Sequence, residues 1–396
     1  MIEVLQSADF LLAGAPQRHA EYVRLRGTSP VHLITLQSGG TGWLVTGYEA
    51  ARQALADPRL QGRTGAVGDR RGLPEDVRLG MNSHMLNNDP PDHTRLRRLV
   101  SAAFTRRQME QMRPRIQQVT DGLLDAMDGR DEVDLVEALA LPLPIRVIGE
   151  MLGVPEEDSE AFHGWTETLT ASALPLGHLS GAATEMIGYV RSLLERKRRR
   201  PRADLLSALV AVRDGDDRLS EHELTSMVFL LLIAGHETTV NLIGNAVLAL
   251  LTHPRQLTRL RAEAELLPAA VEEFLRYESP VQAALRFTTE AVELDGVTVP
   301  AGSVVIVSLL AANRDPARFP DGDRLRLDRA DNSHLAFGHG IHHCLGAPLA
   351  RLEGAIAIGS LLARFPRLRL AVPAEELDWR VSLVMHGLAE LPVRLR

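Results

Sequence analysis

The sequence predicts a mainly α-helical fold with a small β-rich region, and three observations carry that prediction. Apolar residues recur at a helical period over 94–127, 133–152 and 183–197, most of the middle of the chain. Segments rich in β-branched residues occur only toward the two ends, over 31–46 and 285–310. Between them, the stretch 221–251 has a first half, Met227 to Ala234, that is apolar on every face. That is the mark of a buried helix.

The elements follow in order. Val31-His32-Leu33-Ile34-Thr35-Leu36, then Gly39-Gly40, then Trp43-Leu44-Val45-Thr46, read as a β-hairpin. Residues 60–88, rich in Gly, Arg and Asn, predict an irregular loop. Asp89-Pro90-Pro91 then stops the chain before the first periodic helix. The basic run Glu195-Arg196-Lys197-Arg198-Arg199-Arg200-Pro201 reads as a solvated helix end halted by proline. Ser220-Glu221-His222-Glu223 is a capping box that opens the longest helix, and His253-Pro254 closes it. Some 30 residues at 1.5 Å each give a length of roughly 45 Å. A membrane span is the competing reading, and His236, Glu237, Thr238, Thr239 and Asn241 in mid-helix argue against it. Strands are expected at 285–289, 292–299 and 304–310, with Pro300-Ala301-Gly302 turning between the last two. Helix dominates, and one small sheet is assembled from both ends of the chain.

The composition is that of a globular chain: 45% hydrophobic and 24% charged, with a net charge of −7 that argues against nucleic acid. At 396 residues the chain exceeds what one simple core supports. No interior stretch reads as a linker and no repeat is visible, so the expectation is a single domain, 1–396, wrapped around a large cofactor. The N-terminus has neither a basic lead nor an apolar run, so no signal peptide or membrane anchor is expected. The single cysteine excludes an intrachain disulfide and suits a reducing cytoplasm.

That cysteine sits in Phe337-Gly338-His339-Gly340-Ile341-His342-His343-Cys344-Leu345-Gly346, followed by a helix with Pro348 in its first turn. Glycine lets a backbone turn sharply and approach a flat partner closely. A helix N-terminus favours a thiolate. From these residues alone three readings stand: a small buried hydrophobe, a zinc ligand beside His339, His342 and His343, or a thiolate ligand to a haem iron. The zinc reading is crowded, since four donors fall within six residues and no second cluster completes the shell. In the long helix, Ala234-Gly235-His236-Glu237-Thr238-Thr239 places an acid and hydroxyls at the centre of a buried segment. A buried carboxylate there demands a partner. Either this is a kink with a satisfied polar cluster, or Ala234-Gly235 makes room for a diatomic ligand that Glu237 and Thr238 supply with protons. His93 and Arg97 are four apart on one helix face and make a suitable clamp for a carboxylate; an exposed basic helix is the plainer alternative. Glu273 and Arg276 form Glu-x-x-Arg, by itself a common helical ion pair.

Together these motifs, in this order from His93 to Arg351, resemble the cytochrome P-450 superfamily, in its soluble bacterial form. Phe-x-x-Gly-x-His-x-Cys-x-Gly is similar to the haem loop and Ala-Gly-His-Glu-Thr-Thr to the oxygen-binding segment. The resemblance covers about two thirds of the chain. It implies a triangular-prism fold with haem b between the long helix and the helix after the cysteine loop. Carried over residue by residue, Cys344 is the axial ligand of the haem iron. Phe337, Gly338 and Ala234 contact the haem, and His93, Arg97, Arg286 and His342 bind its propionates. Thr238 orients water and activated oxygen, while Glu237 brings protons in. Glu273 and Arg276 maintain the fold with a third member, for which Arg324 in Gly322-Asp323-Arg324-Leu325 is the best match. Gly322 departs from the proline often found before that acid.

The reaction the resemblance implies uses O₂, two electrons and two protons to insert one oxygen atom into an organic substrate. No flavin domain is present, so the electrons are expected from a separate ferredoxin with its reductase, drawn to Arg95, Arg98, Arg106, Arg107 and Arg113. The family's pocket positions fall here on Met81, His84, Met85, Leu86, Leu174, Leu231, Val281, Ala284, Leu383, Val384 and Met385. This aliphatic, methionine-rich lining suits a bulky, adaptable apolar ligand. The long-helix motif resembles the branch that tailors macrolides and other polyketides, so hydroxylation or epoxidation of such a secondary metabolite by a monomeric enzyme is expected. A terpenoid, steroid or peptide antibiotic is the alternative substrate. A peroxygenase or a haem-binding sensor or carrier is the alternative function, and a sensor would need no Glu237–Thr238 pair.

Overall fold

A six-stranded sheet joins the two ends of the chain. Its strands are β1 (Val4–Leu5), β2 (Val31–Thr35), β3 (Thr41–Val45), β4 (Leu60–Gln61), β5 (Ala283–Thr288) and β6 (Val304–Ser308), in the order β1-β2-β3-β6-β5-β4. The computed structural model describes residues 4–5, 9–36, 40–62, 73–103, 105–170, 176–214 and 217–396. The expected hairpin is present as β2 and β3, paired antiparallel with Leu33 opposite Trp43, and Gly39 lies outside the described residues. The N-terminal and C-terminal strands meet where β6 runs parallel to β3, with Val305 opposite Trp43 and Val307 opposite Val45. Period-two alternation sends Trp43, Val45, Val305 and Val307 into one core with Tyr48, Leu55 and Phe319. Leu44, Ile306 and Ile34 enter the other, with Tyr22, Leu25 and Leu310. Both faces are covered, which is why β6 reads as an unbroken apolar run.

Several elements differ from the sequence reading, each for a local reason. The stretch 292–299 is two strands, Val292–Leu294 and Val297–Val299, folded back on each other. Asp295 and Gly296 turn between them at φ 48° and 77°, the left-handed pair that a tight hairpin requires. The strand expected over 304–310 stops at Ser308, whose hydroxyl accepts from the Ala311 N–H at 3.1 Å and caps a short helix, Leu309–Ala312. Residues 94–127 form three helices, Asp92–Ala103, Arg106–Gln111 and Arg113–Met127, because Thr105 caps the second with a reciprocal bond to Gln108. The expected helix 133–152 begins instead as a strand, Glu132–Asp134, and a π-helical turn, Val136–Ala140. Only Pro142–Leu152 is α-helical. Within 60–88, Glu75–Asn82 is a helix with Glu75 and Asp76 in its first turn, and Met85–Asn87 is one 3₁₀ turn.

The chain divides into two compact units. One comprises Met1–Gln61, Thr120–Ala140 and Thr238–Arg396; the other comprises Gly62–Val119 and Leu141–Glu237. The long helix, Glu221–Thr252, gives its first half to the second unit and its second half to the first. Its capping box is formed, with Ser220 N–H on Glu223 Oε2 at 2.8 Å and Glu223 N–H on Ser220 Oγ at 3.3 Å. The helix is long and apolar enough to cross a membrane, yet most of its apolar window is buried inside the protein. In the second unit, the basic run at 195–201 is not uniformly solvated. Lys197, the chain's only lysine, is 5% exposed and ion-paired to Asp204. Its ammonium fills the space beside Gly153, which ends helix Pro142–Leu152 in the left-handed region at φ 64°.

In the first unit the helix after the cysteine, Ala347–Arg364, carries Glu353 fully buried. Its Oε2 has no hydrogen-bond partner among the described residues, and burial pushes its carboxyl up to about 8. The unfolded chain loses that proton near 4.5 whereas the folded chain keeps it to about 8, so stability falls as pH rises through this window. Glu353→Gln is therefore expected to unfold near the wild-type urea midpoint at pH 5. At pH 8 it should be more stable than wild type by on the order of 4 kcal/mol. Equal midpoint differences at both pH values would contradict this.

Candidate active site

The cysteine loop is shaped by backbone contacts. Gly338 and Gly340 lie in the left-handed region at φ 72° and 70°, and a Cβ on Gly340 would stand 2.8 Å from Leu55 O and 3.1 Å from Ala56 Cα. The loop thus runs against the end of helix Tyr48–Ala56, and the Cys344 N–H closes it on Phe337 O at 2.8 Å. Cys344 is exposed and stands just before Gly346, the N-cap of Ala347–Arg364. Its thiol therefore lies exposed at a helix N-terminus, which excludes the buried-hydrophobe reading. Among the described residues, His19, Glu278 and His386 form the only set of three or more metal-ligand side chains in reach of one ion, so the zinc reading of the loop gains no support.

Three residues that no motif singled out support the loop from behind. The Arg351 guanidinium lies 4.5 Å from the Phe337 ring centroid, and Glu272 accepts from its Nε at 2.6 Å and Nη2 at 2.9 Å. His334 Nε2 lies 3.2 Å from the same carboxylate, and His334 Nδ1 accepts from the Ala336 N–H, so Nε2 is the donor. Burial alone would raise the Glu272 carboxyl, but His334 and Arg351 outweigh it and bring it down to about 2. Glu272 stands next to Glu273 on helix Leu267–Tyr277, so adjacent carboxylates serve the cysteine loop and the coil before it.

The Glu-x-x-Arg pair is fully buried. Glu273 accepts two bonds from Arg276 at 2.8 Å each, one from the Arg326 N–H at 2.8 Å and one from Asn332 at 3.2 Å. The third charged member is Arg329, with Nε 3.2 Å from Glu273 Oε2, and not Arg324. The Arg324 side chain points to solvent, and only its carbonyl takes part, accepting from Arg276 at 3.1 Å. Arg276 also donates to Asn313 O and Gly322 O, each at 2.7 Å. Gly322 is required here, since a Cβ would stand 2.4 Å from Arg314 O.

The same unit holds Arg286, His342 and Thr238. Arg286 is buried on β5 and donates to Leu285 O at 2.8 Å, while His342 is half-buried in the cysteine loop and Thr238 half-buried in the long helix. Of the expected pocket residues, the structure brings Val281 and Met385 together in an antiparallel bridge. Ala284, Leu383 and Val384 flank that bridge, all half-buried.

In the other unit, His93 is buried and Arg97 half-buried on helix Asp92–Ala103. Met81, Met85 and Leu231 are buried and Leu86 is exposed, whereas Leu174 lies outside the described residues. His84 is buried, and its ring accepts from the Asn87 N–H at 3.3 Å to cap a turn; burial pushes it down to about 4, so it is neutral near pH 7. Glu237 is buried and Ala234 exposed on the long helix. Gly235 backs onto Ile148, whose Cγ1 a Cβ would meet at 3.0 Å, so this glycine also serves helix packing. His236 turns its Nδ1 to Leu232 O at 3.0 Å and its ring to Phe162. Among the arginines expected to attract a redox partner, Arg95 is tied to Asp217 and Glu223 and Arg113 to Glu110, whereas Arg98 and Arg107 are exposed.

Known proteins share this architecture over nearly its whole length. The family model described as Cytochrome P450 matches residues 177–377. Cytochrome P450 107B1 of Saccharopolyspora erythraea is 52% identical over 96% of both chains. The chain belongs to the cytochrome P450 family. Vitamin D(3) 25-hydroxylase of Pseudonocardia autotrophica is 49% identical to this P450, over 95% of this chain and 93% of its own. The solved structure of the tirandamycin C-bound P450 monooxygenase TamI superposes with a TM-score of 0.90 at 46% identity, covering 99% of this chain and all of that one. This P450 is therefore a monooxygenase of the family that carries a haem-thiolate cofactor. Its residues fit that group: the only cysteine is exposed at the N-terminus of helix Ala347–Arg364, the placement that favours the thiolate such a ligand needs.

Proposed function

We propose that this P450, acting as one catalytic domain over 1–396, hydroxylates or epoxidises a bulky apolar secondary metabolite of the macrolide or polyketide class. Haem b, when bound, supplies the activation of O₂ by iron. Cys344 would hold it through its thiolate, with Phe337, Gly338 and Ala234 against it. His93, Arg97, Arg286 and His342 would bind its carboxylate arms. Glu237 carries protons inward along the buried helix, and Thr238, next to it, orients the water that passes them on. The observation that carries the substrate reading is the half-buried, aliphatic Val281–Met385 surface with Ala284, Leu383 and Val384 beside it. A lining of this kind grips by area and adapts through methionine. The likeness to TamI, solved with tirandamycin C, agrees with this reading.

A steroid-like substrate is the second reading, and the 49% identity to a vitamin D(3) 25-hydroxylase favours it. Spectral titration with a panel of macrolactones and secosteroids separates the two, since tight binding only of the latter class would sink the polyketide assignment. Electrons would come from a ferredoxin with its reductase, meeting the exposed Arg98 and Arg107 in the cytoplasm. Reduction rates that ignore both salt and charge reversal at these two positions would count against that docking.

Thr238→Ala is expected to cut product formed per electron by at least about tenfold and to release the difference as hydrogen peroxide. Glu237→Gln should slow turnover by about 10²-fold. Peroxide release equal to wild type in Thr238→Ala would remove the relay and revive the sensor or carrier reading.

A further inference from the structure

The C-terminal turn carrying Leu383, Val384 and Met385 is held by two residues that are not themselves expected to line the pocket. Gln282 is 1% exposed, and its backbone N–H donates to Val384 O at 2.8 Å. Its side-chain Nε2 faces two carbonyls, Ser382 O at 2.5 Å and Met385 O at 3.3 Å. Carbonyls only accept, so both contacts require the amide NH₂ group. The Gln282 carbonyl accepts from Leu310 N–H at 3.2 Å, which anchors the clamp to the helical turn after β6.

His386 secures the other end of the turn. Its N–H donates to Pro280 O at 2.8 Å, and its ring stacks on Trp379 with centroids 4.5 Å apart. Arg18 can only donate, and its Nη1 lies 2.9 Å from His386 Nδ1. The imidazole therefore carries its proton on Nε2 and donates it to Glu278 Oε2 at 2.7 Å. The same tautomer argues against a metal held by His19, Glu278 and His386. A metal on Nε2 would move the proton to Nδ1, against Arg18, and Arg314 already occupies Glu278 at 2.5 Å.

We propose that Gln282 and His386 are positioning residues that set substrate selectivity by fixing the 382–386 turn against Val281 and Ala284. This rests on the reading that the turn and β5 line the pocket. A turn pinned through its own carbonyls cannot repack freely around each ligand, so the clamp determines which shapes are admitted.

The test uses the holoenzyme and two iron-ligating probes, compact 4-phenylimidazole and bulky clotrimazole, titrated by their spectral shifts. Gln282→Glu sets a carboxylate against two carbonyls and should change the ratio of the two dissociation constants by about tenfold. Gln282→Met and His386→Phe, which keep the bulk, should change it in the same direction by less. All three should keep the wild-type carbon monoxide spectrum. In Gln282→Met, backbone amides of the turn should exchange with deuterium faster than in wild type, a readout that survives if Gln282→Glu does not fold. A lowered thermal midpoint with an unchanged ratio in Gln282→Met and His386→Phe would overturn the proposal and leave only a structural role. Val384→Phe separates the two levels. If it leaves both probes unaffected, the pocket reading fails and the clamp with it; if it alone shifts the ratio, only the clamp fails.

Discussion

Cys344→Ala is expected to abolish the strongly red-shifted carbon monoxide band of the reduced protein and to lower monooxygenase turnover at least about 10³-fold, or roughly 4 kcal/mol of barrier. The side chain is exposed at the end of a loop whose shape comes from backbone contacts: the Cys344 N–H on Phe337 O, and Gly340 against Leu55. Alanine keeps all of these, so the loop should keep its shape. A haem retained by His339, His342 or His343 would give the band of a histidine-ligated iron, which separates loss of the ligand from loss of the cofactor. An unchanged red-shifted band would mean that another group holds the iron, and the assignment of Cys344 would fall.

What could be read before the structure was local. The cysteine loop, the polar step in the long helix, the capping box at Ser220 and the i,i+3 pair Glu273–Arg276 each carry their information within ten residues. The capping box and the ion pair are formed as the sequence reads them. What could not be read was which distant backbone comes close. Arg324 is the best match from the sequence for the partner of Glu273, and Arg329 carries the same side chain five residues further on. The coil turns at Gly322 so that one offers a carbonyl and the other a guanidinium. Lys197 sits in a run of arginines that looks solvated, and only the approach of Gly153 and Asp204 explains a shorter cation there. Glu272, His334 and Arg351 share no sequence pattern, being joined across three separate segments.

The strand errors had a different origin. Asp295-Gly296 is a strong hairpin signal, but the apolar residues on either side merge into one apparent strand when scored by β-propensity alone. Pro142 and Pro144 mark a helix start within 133–152, where the apolar period runs on unbroken across a strand, a π-turn and a helix. In both places turn chemistry outweighed the period. The lesson applies to the pocket as well, because the Val281–Met385 bridge depends on Gln282, whose sequence context carries no motif.

Glu273→Ala should be the most damaging substitution for the fold, costing about 3–5 kcal/mol, a large share of the 5–15 kcal/mol that typically separates folded from unfolded chains. The carboxylate faces Arg276 and Arg329, whose side chains are 0% and 6% exposed, and it also accepts from the Arg326 N–H and Asn332. Its removal leaves two buried guanidinium groups without their shared anion, and Arg276 keeps only neutral carbonyls. That destabilisation lies in the coil immediately before the cysteine loop, so recovered holoprotein should fall together with the urea midpoint. Arg329→Ala should cost about 2–3 kcal/mol, since it removes one of the two cations and its bonds to Pro320 O and Asp321 O. Arg324→Ala, by contrast, should cost no more than about 0.5 kcal/mol, because the backbone carbonyl that it contributes remains. The order Glu273 above Arg329 above Arg324, measured by urea unfolding, tests the geometry of the buried network directly. An Arg324 effect as large as that of Arg329 would show that the side chain, and not the carbonyl, completes it.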